Sequence, residues 1–406
     1  MLIEAAGRGY PDLQEYGFML QVALITENYP PETGGIAASA ARLAATLAGT
    51  VHIHLVKFPR CSGEEPEKWI TEQPAPGLSI HTVTPFVNGW KQPNPGLRPA
   101  LLDRTARRIA EVLGSGVDLI HGFGLQNAGI AAAQAALLMK RPLIQSVRGN
   151  DAGRNSFDGT RRLALRAALR AADVIVSVNI WLANLICWQW PDLANRVRVI
   201  PNGVCAFPFE PNGDLAVARQ SLGIPLDGPV AGIVGSIREK KGPHILDAVL
   251  AKCLQPRNGC LLVIGEIQLE HFHALGWTAS LDKPGVKMVR AASAPDLRQW
   301  IEVCDWCLFP SLDDGMANGL LEALERSRPV VASPVYRDVI EHGKHGLIAS
   351  PLRPAEFVAA GNLLCSDPSL RSALGAGGRL RVTNDFNSAA ERGAWEAVYR
   401  GCAGRP

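Results

Sequence analysis

The chain has 406 residues, 47% of them apolar and 19% charged, and its 41 Lys and Arg stand against 38 Asp and Glu for a net charge of +3. That length suits two or three ordinary domains, and glycine (40) with proline (29) stays well under the roughly 25–30% typical of disordered chains, which excludes both a disordered chain and a stapled miniature. So even a charge balance also argues against broad nucleic-acid binding through phosphate neutralisation.

The first seventeen residues contain Glu4, Arg8, Asp12 and Glu15, so they lack the apolar core of a signal peptide or membrane anchor and read as a loose leader. From Phe18 one cadence repeats: a short apolar run, a loop with Gly or Asn, then an amphipathic or Ala-rich stretch. It predicts βα units around a parallel sheet. In the first half, strands are expected at 20–26, 51–57, 80–84, 119–121, 143–147, 174–178 and 197–200, and helices at 36–48, 100–113, 128–140 and 161–171. The Pro-rich segments 61–76 and 87–98 read as irregular loops. Arg162, Arg166 and Arg170, with Arg161 beside them, form one helical stripe, which is either a solvated face or a surface for anionic lipid or an acidic acceptor. The uncharged run 174–191 is broken by Asn179, Asn184 and Gln189, so it reads as a buried strand and a helix and not as a membrane span. Its Trp181, Trp188 and Trp190 read as core or cleft wall.

The stretch 201–229 holds Pro-Asn-Gly twice and is the expected hinge. The cadence then restarts, with strands expected at 230–234, 260–264, 286–289, 306–309, 329–332 and 346–348, and helices at 244–252, 294–304, 319–326, 354–365 and 388–400. The expected organisation is therefore a first doubly wound domain over 1–205, a second over 206–387, and a terminal helix, 388–406, packing back on the first. Two such α/β domains place a cleft at the C-terminal edges of their sheets, where open α/β folds bind ligands.

Missing motifs narrow the chemistry. The first strand leads into Thr-Glu-Asn-Tyr-Pro-Pro-Glu-Thr-Gly-Gly, not G-x-G-x-x-G, and P-loop, zincin and G-x-S-x-G signatures are all lacking. Nine scattered cysteines make no disulfide frame and point to a reducing, cytoplasmic setting. Cys304-x-x-Cys307 enters a strand and reads as buried structure; His342-x-x-His345 lies in a polar turn and reads as a turn before it reads as a metal site.

The informative segment is 309–333, FPSLDDGMANGLLEALERSRPVVAS, which reads strand, loop, helix, strand. Gly315 permits a tight turn, the amides of Met316, Ala317 and Asn318 open a helix N-terminus suited to oxygen anions or sugar hydroxyls, and Glu322 has the reach to accept from a vicinal diol. Immediately after the first strand of the second half comes Gly-Ser-Ile-Arg-Glu-Lys-Lys-Gly, 235–242, whose cations suit a diphosphate.

Together these segments resemble retaining GT-B glycosyltransferases of family four, whose signature is P-S-x-x-E-G-x-x-x-x-x-x-E-A followed by P-V-V-A-S. Pro310, Ser311, Gly315, Asn318, Glu322, Ala323 and Pro329 fall on that pattern, with Asp314 at the first Glu position. The turn at 235–242 is similar to G-R-L-x-x-x-K-G, with Lys241 and Gly242 matching and Ser236 where Arg is usual. Tyr29 to Ile36, Asp118 to Gly122, Val147 to Asp151 with Arg148 in place of His, Val199 to Val204 and Val263 to Glu266 resemble further pieces in the family's order. The resemblance spans roughly 19–385.

It implies an α/β GT-B fold of two Rossmann-like domains facing across a cleft. It also implies transfer of a sugar, with retention, from a nucleoside-diphosphate sugar to a hydroxyl of a glycan or glycolipid, without metal or cofactor and with no nucleic-acid partner. On that reading Lys241, helped by Arg238, neutralises the departing diphosphate, while Asp314 and the amides of Met316, Ala317 and Asn318, after the turn at Gly315, meet the sugar. Glu322 holds the ribose, Gly34, Gly35, Ser236 and Gly265 line the donor, and Arg148 lies near donor or acceptor. The protein would work in the cytoplasm, with peripheral contact at the inner membrane face as an extension. Ser236 and Asp314 keep a non-catalytic nucleotide-sugar-binding member open as the alternative; a nucleotide-sugar epimerase is the more distant one.

Overall fold

The computed structural model describes residues 19–32, 34–58, 68–84, 97–149, 151–205, 215–266, 284–290 and 294–404; the leader, the loop portions 61–67 and 87–96 and the hinge portion 206–214 lie outside them. The chain divides into two compact units. One comprises the residues up to Ser177 with Leu182–Ile200 and Arg392–Pro406, and the other Val178–Trp181 with Pro201–Glu391.

The first unit runs β1 (Gln21–Thr26), α1 (Gly35–Leu47), β2 (His52–Lys57), β3 (Lys68–Ala75), β4 (Leu78–Thr84), α2 (Leu97–Leu113), β5 (Leu119–Phe123), α3 (Asn127–Met139), β6 (Leu143–Val147), α4 (Gly159–Ala171), β7 (Val174–Ser177), α5 (Ile180–Gln189) and β8 (Val197–Val199). Its eight strands lie in the order β3-β4-β2-β1-β5-β6-β7-β8. All pairs are parallel except β3 with β4. β5 and β6 are buried along their whole length, as expected of strands covered on both faces, which is why they read as unbroken apolar runs.

β3 corrects the reading of 61–76 as wholly irregular. Lys68–Ala75 is an edge strand, exposed at nearly every position, so it lacks the apolar alternation by which strands are recognised. It is held instead by a polar chain: Thr71 meets His81 Nδ1 at 3.0 Å, His81 Nε2 meets His54 Nδ1 at 3.2 Å, and His54 Nε2 meets the Gln21 side-chain oxygen at 3.0 Å.

The second unit continues with α6 (Leu215–Ser221), β9 (Val230–Val234), α7 (Pro243–Val249), β10 (Cys260–Ile264), β11 (Val286–Val289), α8 (Ala294–Val303), β12 (Trp306–Phe309), α9 (Asn318–Glu325), β13 (Val330–Ala332), β14 (Leu347–Ile348), α10 (Pro354–Ser366), α11 (Pro368–Asp385) and the start of α12 (Ser388–Ala403). Its six strands lie in the order β11-β10-β9-β12-β13-β14, all parallel. Alternate side chains feed two cores, Leu262 and Ile264 on one face and Leu261 and Val263 on the other. The chain leaves β9 toward β10 and β11, then returns to place β12 on the other flank. The switch point thus lies between the C-terminal ends of β9 and β12, where this architecture binds ligands.

α11 was not expected, because Gly375, Gly377 and Gly378 break its helical signal. The packing explains them: a Cβ on Gly375 would stand 2.2 Å from the Ser327 carbonyl oxygen, and one on Gly377 2.2 Å from that of Lys344. Among the described residues no helix is long and apolar enough to cross a membrane.

Candidate functional site

The site is built at the switch point of the second unit. β9 and β10 end in Gly235 and Gly265, both at positive φ, and a Cβ on Gly265 would lie 2.4 Å from the Gly235 carbonyl oxygen, so only glycine lets the two strand ends touch. A short helical turn at Glu239–Lys241 follows, closed by Gly242 at φ 64°. The Leu312 amide donates to the Lys240 carbonyl at 2.7 Å, which ties this turn to the loop after β12.

That tie brings two ammonium groups onto one carboxylate. Lys240 Nζ lies 3.2 Å from Asp314 Oδ1, and Lys241 Nζ pairs with Oδ2. Oδ1 also accepts the Gly315 amide at 3.1 Å, and Oδ2 the Tyr336 hydroxyl at 2.7 Å. Because the Tyr336 proton is committed to Asp314, the Ser311 hydroxyl 2.8 Å away must donate to the phenol oxygen. The Asp314 side chain is 13% exposed and those of Lys240 and Lys241 26% and 22%. Burial pushes the Asp314 carboxyl up, but Lys241, Lys240 and the Tyr336 hydrogen bond outweigh it and hold the group well below the usual carboxylate range. Burial, then the Asp314 carboxylate, pushes the Tyr336 phenol well above its ordinary range. Asp313, next in the chain, also acts on Tyr336, so carboxylates and ammonium groups are interleaved at the strand ends.

The helix that follows opens at Ala317 without a side-chain cap. Its first residue, Asn318, is half-buried and accepts from the Asn202 side chain at 2.8 Å. The Asn179 side chain donates to the Gly315 carbonyl. Glu322 follows Asn318 by one turn on the same helical face and is half-buried, as are Met316 and Ala317. Ser236 is half-buried, whereas Arg238 is exposed. Of the sequence-derived residues, Ser236, Lys241, Gly265, Asp314, Gly315, Met316, Ala317, Asn318 and Glu322 therefore belong to the strand ends and helix start of one unit. Sequence reasoning missed Lys240, Tyr336, Asn179 and Asn202. The Lys-Lys doublet was a visible signal for the first; the others are brought in by tertiary folding alone.

Gly34, Gly35 and Arg148 belong to the first unit. Gly34 precedes α1 at φ 131°, and both glycines are exposed. Arg148 opens a turn organised by Asp151, whose carboxylate accepts the amides of Arg148 at 3.0 Å, Gly149 at 2.7 Å, Ala152 at 3.1 Å and Leu125 at 3.2 Å. Its guanidinium lies 4.4 Å from the Phe123 ring centre, in a side chain only 8% exposed. Nearby His121 is fully buried between Ser146 and Tyr399; burial, then Arg148, keeps it neutral far below its ordinary value.

Two of the three stripe arginines are engaged internally, Arg162 with Gln189 and the Ser156 carbonyl and Arg170 with Asp192; Arg166 is exposed. Trp190 is buried, while Trp181 and Trp188 are exposed. Cys304 and Cys307 are fully buried, and among the described residues no three His, Cys, Asp or Glu side chains gather to hold a metal.

Residues 33–206 match a family model described as Glycosyltransferase Family 4, and residues 228–367 one described as Glycosyl transferases group 1. The chain is similar to a D-inositol 3-phosphate glycosyltransferase of Pseudarthrobacter chlorophenolicus, 25% identical over 87% of each chain. It is also similar to an alpha-maltose-1-phosphate synthase of Mycolicibacterium smegmatis, 25% identical over 91% of this chain and 96% of that protein. A further D-inositol 3-phosphate glycosyltransferase, from Acidothermus cellulolyticus, is 30% identical, but the match spans half of that protein and 53% of this chain. Among solved structures, a sucrose-phosphate synthase from Thermosynechococcus elongatus superposes with a TM-score of 0.79 at 22% identity, over 94% of this chain and 98% of that one. Anabaena HepE in complex with UDP-glucose superposes at 0.74 and 19% identity, over 94% of this chain and 100% of that one. With its halves matching two consecutive glycosyltransferase models and its sheets those of solved members, the chain belongs to the group 1 glycosyltransferases of the family-4 type, built on the GT-B fold.

Proposed function

We propose that the protein transfers a sugar from a nucleoside-diphosphate sugar to a hydroxyl acceptor with retention of anomeric configuration. The observation that carries this is the meeting of Lys240 and Lys241 with Asp314 at the β9–β12 switch point, beside an uncapped helix N-terminus. HepE, whose structure holds UDP-glucose, has the same fold, which supports such a donor. In this reading the bond from the anomeric carbon to the diphosphate oxygen breaks with its electron pair going to the diphosphate, and Lys241 stabilises the charge that develops. The acceptor oxygen attacks the same face, and its proton passes to the diphosphate. Glu322 binds the ribose hydroxyls, Asp314 and the 316–318 amides orient the sugar, and Ser236 and Gly265 line the donor, with Arg238 as a peripheral cation.

The acceptor in this reading is a glycan or glycolipid, reached from the cytoplasm with peripheral membrane contact. The exposed Leu163 on α4, the helix that carries exposed Arg166, supports that contact. The relatives' names add a second acceptor class, a small phosphorylated polyol or sugar, for which the Arg148 guanidinium supplies a matching charge.

A thermal-shift panel of UDP-, GDP- and ADP-sugars tests the donor, since a ligand bound only by the native state raises its stability. The matching donor should then be turned over, and Lys241→Ala and Glu322→Ala should each lower kcat/KM by about 100-fold or more. Donor binding without turnover by any acceptor would instead favour the non-catalytic reading that Ser236 and Asp314 prompt.

A further inference from the structure

Resting on the donor reading above, we propose that Glu302, Glu325 and Arg326 are positioning residues: a buried ionic clamp that fixes the rotation of α9 about its axis, and with it the presentation of Glu322 to the ribose. Arg326 follows the last residue of α9. Its Nε donates to Glu325 Oε2 at 2.7 Å and its Nη2 to Glu325 Oε1 at 3.3 Å, while its Nη1 donates to Glu302 Oε1, on α8, at 3.1 Å. The three side chains are only 1–2% exposed. Taking such groups out of water is costly, and apolar residues of similar volume often serve stability equally well. What the charges add is direction. A planar guanidinium gripped by two carboxylates has one orientation, whereas an apolar contact tolerates sliding.

That orientation is passed along the helix. Residues 318, 322 and 326 follow one another at four-residue intervals, so Asn318, Glu322 and Arg326 lie along one stripe of α9 and its end. The Arg326 amide closes on the Glu322 carbonyl at 3.1 Å. A rotation that pulled the guanidinium off its carboxylates would therefore carry Glu322 with it. A second tie runs the same way: Arg328 donates to the carbonyl of Cys304, just past α8, at 3.1 Å. The site end of α9 is held differently. Asn318 meets Asn202, and Gly319 lies against β9, where a Cβ would stand 2.6 Å from Val234 Cγ1. The glycine contact sets how closely the helix approaches the sheet, and the clamp at the far end sets which way its stripe faces.

The test uses whichever of UDP, GDP and ADP binds the unaltered full-length protein, together with the 2′,3′-dideoxy form of that nucleotide, and measures both Kd values by calorimetry. The unaltered protein should prefer the natural nucleotide by about tenfold or more, because the dideoxy form leaves the Glu322 carboxylate without its hydroxyl donors. The triple variant Glu302→Leu, Glu325→Leu, Arg326→Met replaces the clamp with apolar side chains; it should stay folded in thermal unfolding, yet its preference should fall below about threefold. Arg326→Lys keeps the charge without the fork and should lose at least about threefold of the preference. A merely structural clamp would change the unfolding temperature and leave the ratio of the two Kd values alone. An undiminished preference in the folded triple variant, or in Arg326→Lys, therefore overturns the assignment. Equal binding of the two nucleotides by the unaltered protein would instead show that Glu322 does not read the ribose, so the donor reading fails at that residue and the clamp's role fails with it. If none of the three nucleotides binds the unaltered protein, the donor reading fails as a whole, and this assignment with it.

Discussion

Asp314 is the residue on which the site turns, because four donors converge on one short carboxylate. Replacing it with Asn removes the counter-charge of two largely buried lysines, and the loss should cost about 1–3 kcal/mol. Calorimetric unfolding of Asp314→Asn should show that loss, and titration should show tighter nucleoside-diphosphate binding, since the ligand no longer competes with the carboxylate. Weaker binding would mean that Asp314 shapes the pocket rather than occupying its cations. The depressed carboxyl contributes its full stability above the unfolded value near 4, and that contribution is lost progressively as pH falls from about 4 toward the lower folded value. Lys241 and Asp314, which the structure joins in an ion pair, could be singled out in the sequence because each lies in a strand-loop-helix turn with local spacing. Tyr336 was not: it stands 22 residues beyond Asp314 and is brought back by the following strand.

At the scale of elements, α11 shows why propensity misled. Gly375→Ala should improve intrinsic helix formation by about 1 kcal/mol yet destabilise the protein by about 1–3 kcal/mol net, because the new methyl meets the Ser327 carbonyl. Gly393→Ala in α12, with nothing within 4 Å of the added carbon, should stabilise by up to about 1 kcal/mol. Denaturant midpoints compare the two, and equal effects would refute the packing account.

β3 supplies a second element-scale prediction. In its polar chain Thr71 donates to His81, His81 to His54 and His54 to Gln21, an order that needs both rings neutral. Burial, with His52 and for His54 also His81, lowers both imidazoles to about 4. The unfolded chain therefore binds more protons below about pH 6.5, and stability should fall as pH drops from about 6.5 to 4, by at most about 1.4 kcal/mol per pH unit for each ring. The double variant His54→Gln with His81→Gln should flatten that slope in thermal unfolding measured across this window.

At the scale of the molecule, the chain carries two separately cored α/β units, and the donor reading places the nucleotide on one of them. Hydrogen exchange with bound nucleoside diphosphate should therefore show new protection over 235–242 and 310–322, and none over β2, β3 and β4. Protection confined to the first unit would contradict the site. The sequence alone determined the βα cadence, the two sheets and the main turns, because strands buried on both faces write continuous apolar runs and motif residues lie close along the chain. Only the tertiary structure decided that an exposed polar edge strand would be held by histidines and that a glycine-broken stretch would be a helix. It alone decided, too, that two neighbouring lysines would share one carboxylate. Each of these depends on what lies opposite in space, and a one-dimensional pattern carries no record of that.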